Sequence, residues 1–256
     1  MRPIFIDKNI NVTTDTNALS LLNTKNDKAF LKDNEIIQTS QDRWDEAQQY
    51  EYRTWMINGL GYSDDRNYDH NKLFDEYHQV PWGQIKNFIE LGCGPFTNTR
   101  LIIDKLPKNC TINLLDPLIE KYVSHPNCTY KNYTMCNRSI KLITSPIETC
   151  NIEDKFDCIL MNNVLEHCFD INTIFKKIIS MLDKNGIFIF SDVYFLKSDI
   201  VMLSENTYDA GHPLRISKDT LESFLKTNFI TLYEKDYTGL YNQFWRNDKY
   251  YIGQKI

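Results

Sequence analysis

The sequence predicts an α/β fold built on a mostly parallel sheet, on three observations. After Pro81, short runs rich in β-branched and aromatic residues alternate with segments of helical periodicity. Those runs are apolar throughout rather than alternating, as in strands covered by helices on both faces. The last two, "FITLYEKDY" and "YYIGQKI", are joined by a stretch with no room for a crossover helix, which predicts an antiparallel terminal hairpin.

In chain order, residues 1 to about 40 are polar with short apolar islands, "PIFI" and "ALSLL", and read as a loosely packed extension. In "SQDRWDEAQQYEYRTWMING", Trp44, Ala47, Tyr50 or Glu51, and Trp55 recur at helix-face spacing, with Ser40 as N-cap. Asn58, Gly59 and Gly61 end that helix, and a second helical patch follows in "NKLFDEYHQV". Then "NFIEL" leads to a helix ending in "IIDKL", and "TINLLD" to "PLIEKYV"; "IKLIT" comes next. "FDCILMN" leads to "INTIFKKIISML", and "GIFIFSDV" to "SKDTLESFLKTN". The chain thus divides into an N-terminal extension with a helical lid, residues 1–83, and a sheet domain, residues 84–256.

Composition narrows the partners. With 256 residues, 42% of them hydrophobic, the chain can build one sizeable core. The net charge of −5, with no run of five Lys and Arg residues, argues against nucleic acid and acidic membranes as partners. The start lacks an apolar signal region, and no stretch approaches the roughly 18 apolar residues of a span, so a cytoplasmic protein is expected. Seven cysteines without C-x-x-C spacing predict free thiols and no metal centre. Cys93, inside a glycine loop, is the one candidate for reactivity.

Four features fall at the carboxyl ends of successive predicted strands, where open α/β sheets bind ligands. They are Glu90-x-Gly92-x-Gly94; Asp116, followed by Pro117; "SPIE", Ser145 to Glu148; and "MNNVLEH", Met161 to His167. Asp116 lies near the spacing expected of a ribose-binding acid. A dinucleotide fingerprint needs a further glycine where Thr97 stands, and Glu90 would repel a pyrophosphate. An acid there instead suits a cationic sulfonium amino acid.

On "ELGCG" and "VLEH" together, the chain resembles the class I S-adenosylmethionine-dependent methyltransferases of the small-molecule group, over about residues 84 to 256. The resemblance implies a Rossmann-like, seven-stranded sheet with the last strand inserted antiparallel, and S-adenosyl-L-methionine as cofactor. It implies that Glu90 holds the methionine amino group, directly or through water, and that Gly92, Cys93 and Gly94 line its carboxylate and ribose. Asp116 and Pro117 would lie at the ribose, Pro146, Ile147 and Glu148 at the adenine, and Asn162 beside the methionyl moiety. Phe96 and Pro146 depart from the family pattern, standing where many relatives carry a third glycine and an acid.

The acceptor must lose a proton, and His167 is the first candidate base, with His212 in "YDAGHPLRIS" the second. The stretch Asn162-Asn163-Val164 lacks the Pro-Pro-aromatic element of adenine and glutamine methylases. A small molecule methylated on oxygen or nitrogen is therefore expected. Trp44, Tyr50, Tyr52, Trp55, Tyr194, Tyr208, Tyr241, Phe244 and Trp245 are candidates to roof the pocket or to form a homodimer interface. Arg43, Arg215 and Arg246 are candidates for an acceptor carboxylate or phosphate. Two rivals stay open: a partner subunit without catalysis, and a nicotinamide-dependent oxidoreductase, which Thr97 and Glu90 disfavour.

Overall fold

The computed structural model describes residues 27–57, 77–206, 208–238 and 247–256. Seven strands form one sheet: β1 (Asn87–Leu91), β2 (Thr111–Leu115), β5 (Lys141–Ile143), β6 (Phe156–Asn162), β7 (Leu182–Tyr194), β8 (Phe229–Thr238) and β9 (Asn247–Lys255). Between them, β3 (Thr134–Met135) and β4 (Arg138–Ser139) make a small separate hairpin that the sequence reading did not anticipate. The sheet order is β5-β2-β1-β6-β7-β9-β8, and β9 runs antiparallel between β7 and β8. The remaining neighbours are parallel, so the α/β, Rossmann-like expectation holds.

Neighbouring strand residues enter opposite cores because side chains alternate across a sheet. Ile89, Leu91, Ile159, Met161, Phe188 and Phe190 join one buried cluster. Phe88, Leu114, Cys158, Leu160, Ile189 and Ile252 join the other. Both faces are covered, which is why these strands read as unbroken apolar runs.

The helices are α1 (Gln41–Met56), α2 (Thr99–Ile102), α3 (Ile119–Tyr122), α4 (Ile171–Met181), α5 (Lys197–Asn206) and α6 (Lys218–Asn228). Ser40, Asp170 and Ser217 cap α1, α4 and α6 by accepting from the backbone N–H of the third residue on, an orphan donor at each helix start. α4 buries Ile171, Ile174, Ile178 and Met181, a stripe of helical period. The helix α5 was not anticipated. α2 is shorter than expected and tightens into a 3-10 turn at Ile103–Lys105. Asn58, Gly59, Gly61 and most of "NKLFDEYHQV" lie outside the described residues; Tyr77–Gln79 form a 3-10 turn. Among the described residues no helix is long and apolar enough to cross a membrane.

The expectation of a loose extension is corrected for residues 27–39. Ile36 is fully buried and exchanges backbone hydrogen bonds with Arg215, at 3.1 and 2.8 Å. Thr39 N–H donates to the Phe169 carbonyl, and Ile171 N–H to that of Ile37. The Glu35 carboxylate accepts from Ser217 N–H and the Thr220 hydroxyl. This segment is a strap across the chain that follows β6 and β7. Its polar composition concealed it, because its hydrogen-bonding partners lie far away in sequence.

Candidate active site

The β1–α2 loop turns on two glycines in the left-handed region, Gly92 at φ +69 and Gly94 at φ +53, where an L side chain is strained. Gly92 and Cys93 N–H both donate to the Leu115 carbonyl, at 2.7 and 3.1 Å. Gly94 N–H donates to Asp116 Oδ2 at 3.0 Å, and Leu118 N–H to Asp116 Oδ1 at 2.8 Å. The loop is thereby tied to the end of β2. A Cβ on Gly94 would meet nothing within 4 Å, whereas one on Gly92 would stand 2.4 Å from both γ-carbons of Val164. Gly92→Ala is therefore expected to cost about 1–3 kcal/mol from overpacking, with positive-φ strain of roughly 1 kcal/mol in addition. Thermal unfolding checks this; Val164→Ala in the same chain should restore part of the loss.

The residues expected at the cofactor also make contacts within the chain. Glu90 is fully buried, and its carboxylate accepts from Thr97 Oγ1, Asn98 N–H and Nδ2, and Thr99 N–H and Oγ1. It holds the loop and the start of α2 from beneath. Burial pushes its carboxyl up, and those donors pull it back. Cys93 is buried beside the Tyr130 hydroxyl, and burial pushes its thiol well up, which makes it unreactive. Tyr130 in turn donates to the Gly94 carbonyl at 2.8 Å. Glu148 Oε1 accepts from Phe169 and Asp170 N–H, at 2.7 and 3.1 Å, ahead of α4. Ile147 is buried in the core, while Pro146 beside it is half-buried. Pro117, also half-buried, follows Asp116 into the turn before α3.

Asn162 ends β6, and its Oδ1 accepts from the Ser191 hydroxyl at 3.2 Å. Among the described residues its buried Nδ2 has no hydrogen-bond partner. An unmatched buried donor costs about 1–3 kcal/mol, which a ligand acceptor atom would recover.

The structure unites the two candidate histidines. His167 closes the 3-10 turn Leu165–His167 after β6, and His212 lies in the chain between α5 and α6. Their ring centroids are 4.5 Å apart. His212 Nδ1 is 2.7 Å from both oxygens of Asp209, and its Nε2 is 3.5 Å from Glu166 Oε1. His167 Nδ1 is 3.0 Å from the Gly211 carbonyl and 3.4 Å from Glu51 Oε1. Burial pushes the Asp209 carboxyl well up, against the pull of Arg215 and Arg43.

Glu51 comes from α1, which lies across this end of the sheet. Trp44 Nε1 and Gln48 Nε2 donate to the His167 carbonyl, at 3.1 and 3.2 Å. The Trp55 ring meets Phe96 of the glycine loop edge-on at 5.8 Å. One helix thus touches both halves of the crevice. Of the other aromatics, Tyr208 is buried with its hydroxyl on Glu46, Tyr194 is buried, and Tyr52 faces outward. Tyr241, Phe244, Trp245 and Arg246 lie outside the described residues.

Arg43 and Arg215 are corrected as acceptor ligands. Both are buried and share Asp27, Arg43 Nε at 3.0 Å and Arg215 at 3.3 Å. Arg43 also donates to the carbonyls of Asp209 and Ala210, and Arg215 to Ser204 Oγ. They clamp the chain that carries His212. Glu51, Glu166 and Asp209 were not singled out from sequence; Glu166 lay inside the quoted "VLEH", and Asp209 stands three residues before His212.

The crevice at the carboxyl ends of β1, β2 and β6, where the strand order reverses, defines a nucleotide-type ligand site of an open α/β sheet. Residues 65–229 match the family described as a methyltransferase domain, and the chain belongs to that family. The resemblance read from "ELGCG" and "VLEH" holds at the level of family, and the protein is an enzyme of the methyltransferase class. No curated protein matches the chain in sequence. Its fold is similar to that of the N-methyltransferase NodS from Bradyrhizobium japonicum WM9, solved with S-adenosyl-L-homocysteine. The TM-score is 0.56 at 14% identity, covering 82% of this chain and 98% of NodS. YcgJ from Bacillus subtilis gives 0.56 at 11% identity, covering 73% and 98%. Coclaurine N-methyltransferase, bound to N-methylheliamine and S-adenosylhomocysteine, gives 0.52 at 15%, covering 85% and 88%.

Proposed function

We propose that this protein transfers a methyl group from S-adenosylmethionine to an oxygen or nitrogen of a small molecule. One observation carries the reading: the Gly92–Gly94 loop with Asp116 and the Glu51, His167 and His212 cluster are joined by a single helix over the same crevice. The residues fit the cofactor. Asn162 Nδ2 is a buried donor awaiting an acceptor, and Gly94 leaves the space before it open. Asp116 is the acid for two ribose hydroxyls, because each oxygen keeps lone-pair capacity beyond its one backbone donor.

S-adenosylmethionine supplies an electrophilic methyl group, so the chain's own work is alignment, exclusion of water and removal of the acceptor's proton. α1 covers the crevice. Glu51, Glu166, His167 and His212 form the polar wall at which that proton is lost.

Calorimetry with S-adenosylhomocysteine and with NAD tests the cofactor, and binding of NAD alone would overturn the reading. Labelled methyl transfer into a metabolite extract, resolved by mass spectrometry, separates an enzyme from a non-catalytic partner subunit.

Asp116 makes the cofactor reading pH-sensitive. Burial pushes its carboxyl up to about 6, with Glu51 and Glu90 adding to the rise and the Leu118 and Gly94 amides opposing it. The folded value exceeds the unfolded one, so the native state holds the extra proton between about pH 4 and 6, and this group's contribution to stability is lost as pH rises through that window. Cofactor binding runs the other way, since two hydroxyl donors need the ionised form. Affinity is expected to fall by up to about tenfold per pH unit below 6. Titrations between about pH 5 and 8 check this, and Asp116→Asn should bind weakly with a flat profile.

A further inference from the structure

We propose that Glu51, His167 and His212 bind one divalent transition-metal ion. Each offers one ligand atom, and the three atoms lie within 4.8 Å of one another. Two imidazoles and a carboxylate are a donor set suited to zinc, iron, cobalt or nickel rather than to magnesium or calcium. The ligands come from three elements: α1, the turn after β6 and the chain before α6.

Each side chain is held from behind, as metal ligands are. His212 Nδ1 is tied to both Asp209 oxygens at 2.7 Å, which turns its Nε2 to the opposite side of the ring, toward Glu166. His167 Nδ1 lies 3.0 Å from the Gly211 carbonyl and 3.4 Å from Glu51 Oε1, which fixes its ring beside the carboxylate. Glu51 Oε2 accepts from Trp55 Nε1 at 2.8 Å, leaving Oε1 toward the imidazoles. The surroundings favour a cation. The Glu51 and Glu166 carboxylates stand beside the buried His212 and half-buried His167 imidazoles, and a dication offsets their charge.

The site deepens the proposed function and rests on its claim that this cluster faces the acceptor. Three protein ligands leave coordination positions open, which selects an acceptor offering an oxygen donor such as a hydroxyl or carboxylate.

The test uses the untagged full-length chain, stripped with chelator and titrated with Co²⁺ alone under visible absorption, with S-adenosylhomocysteine calorimetry in parallel. One equivalent of Co²⁺ is expected, with d–d bands displaced by Zn²⁺. Glu51→Gln and His167→Gln should each weaken binding by at least about tenfold while circular dichroism stays unchanged. Glu51→Gln is nearly isosteric, so it keeps the test valid where a buried histidine variant fails to fold. No Co²⁺ binding by a folded chain, or binding that both variants retain, overturns the metal site. A chain that binds Co²⁺ but not S-adenosylhomocysteine keeps the metal site and overturns the methyl-donor reading instead.

Discussion

His167→Ala is expected to lower turnover by about 10²- to 10⁴-fold while S-adenosylhomocysteine affinity stays within about twofold. The substitution removes an imidazole that touches Glu51 and lies against His212, in the wall proposed to take the acceptor's proton. It leaves α1 docked, because Trp44 and Gln48 hold the backbone carbonyl of residue 167 rather than its ring. Loss of rate without loss of cofactor therefore separates a chemical role from a structural one. Single-turnover transfer of labelled methyl, with calorimetry on the same preparation, makes the measurement. Near-normal turnover would reduce His167 to a packing residue.

The largest stability effect is expected at Arg215. Its guanidinium is almost fully buried and faces Asp27 and Ser204. Arg215→Ala leaves a cavity and a weakened counter-charge for buried Asp27 and Asp209. Breaking a buried ion pair from one side costs about 3–5 kcal/mol. In a chain of this size that corresponds to a fall in melting temperature of roughly 6–20 °C. Differential scanning calorimetry checks it, and a shift below about 2 °C would mean that the clamp contributes little. Turnover should fall too, since Arg43 and Arg215 fix the chain that presents His212.

What was legible in the sequence was whatever depends on local pattern. Strands such as "FDCILMN" could be read because covering both faces of a sheet makes every position apolar. Gly92 and Gly94 marked their loop because few other residues adopt its backbone. Glu90 and Glu148 were placed at or after the ends of their strands, but their contacts within the chain could not be read. Pattern reveals that an acid ends a strand, not that backbone amides beneath a loop will claim its oxygens. Arg43 and Arg215 were read as ligands for an acceptor because their partner Asp27 sits in a polar stretch with no pattern of its own. Glu51 and Asp209 escaped for the same reason: each reaches the histidines only through contacts distant in sequence.

The strap also sets an order of events during synthesis. Glu35 emerges early from the ribosome, but its partner Ser217 lies 182 residues further on. At roughly 5–20 residues per second, that interval is on the order of 10–40 s. Until it closes, Ile36 lacks its backbone partner Arg215, although the His167 carbonyl that receives Trp44 and Gln48 of α1 is made earlier. The nascent chain must therefore keep an amphipathic segment in waiting, and the catalytic end of the molecule is completed after its sheet has begun to form. Pulse proteolysis of stalled chains ending before and after residue 217 should show protection of residues 27–57 in the longer chains alone.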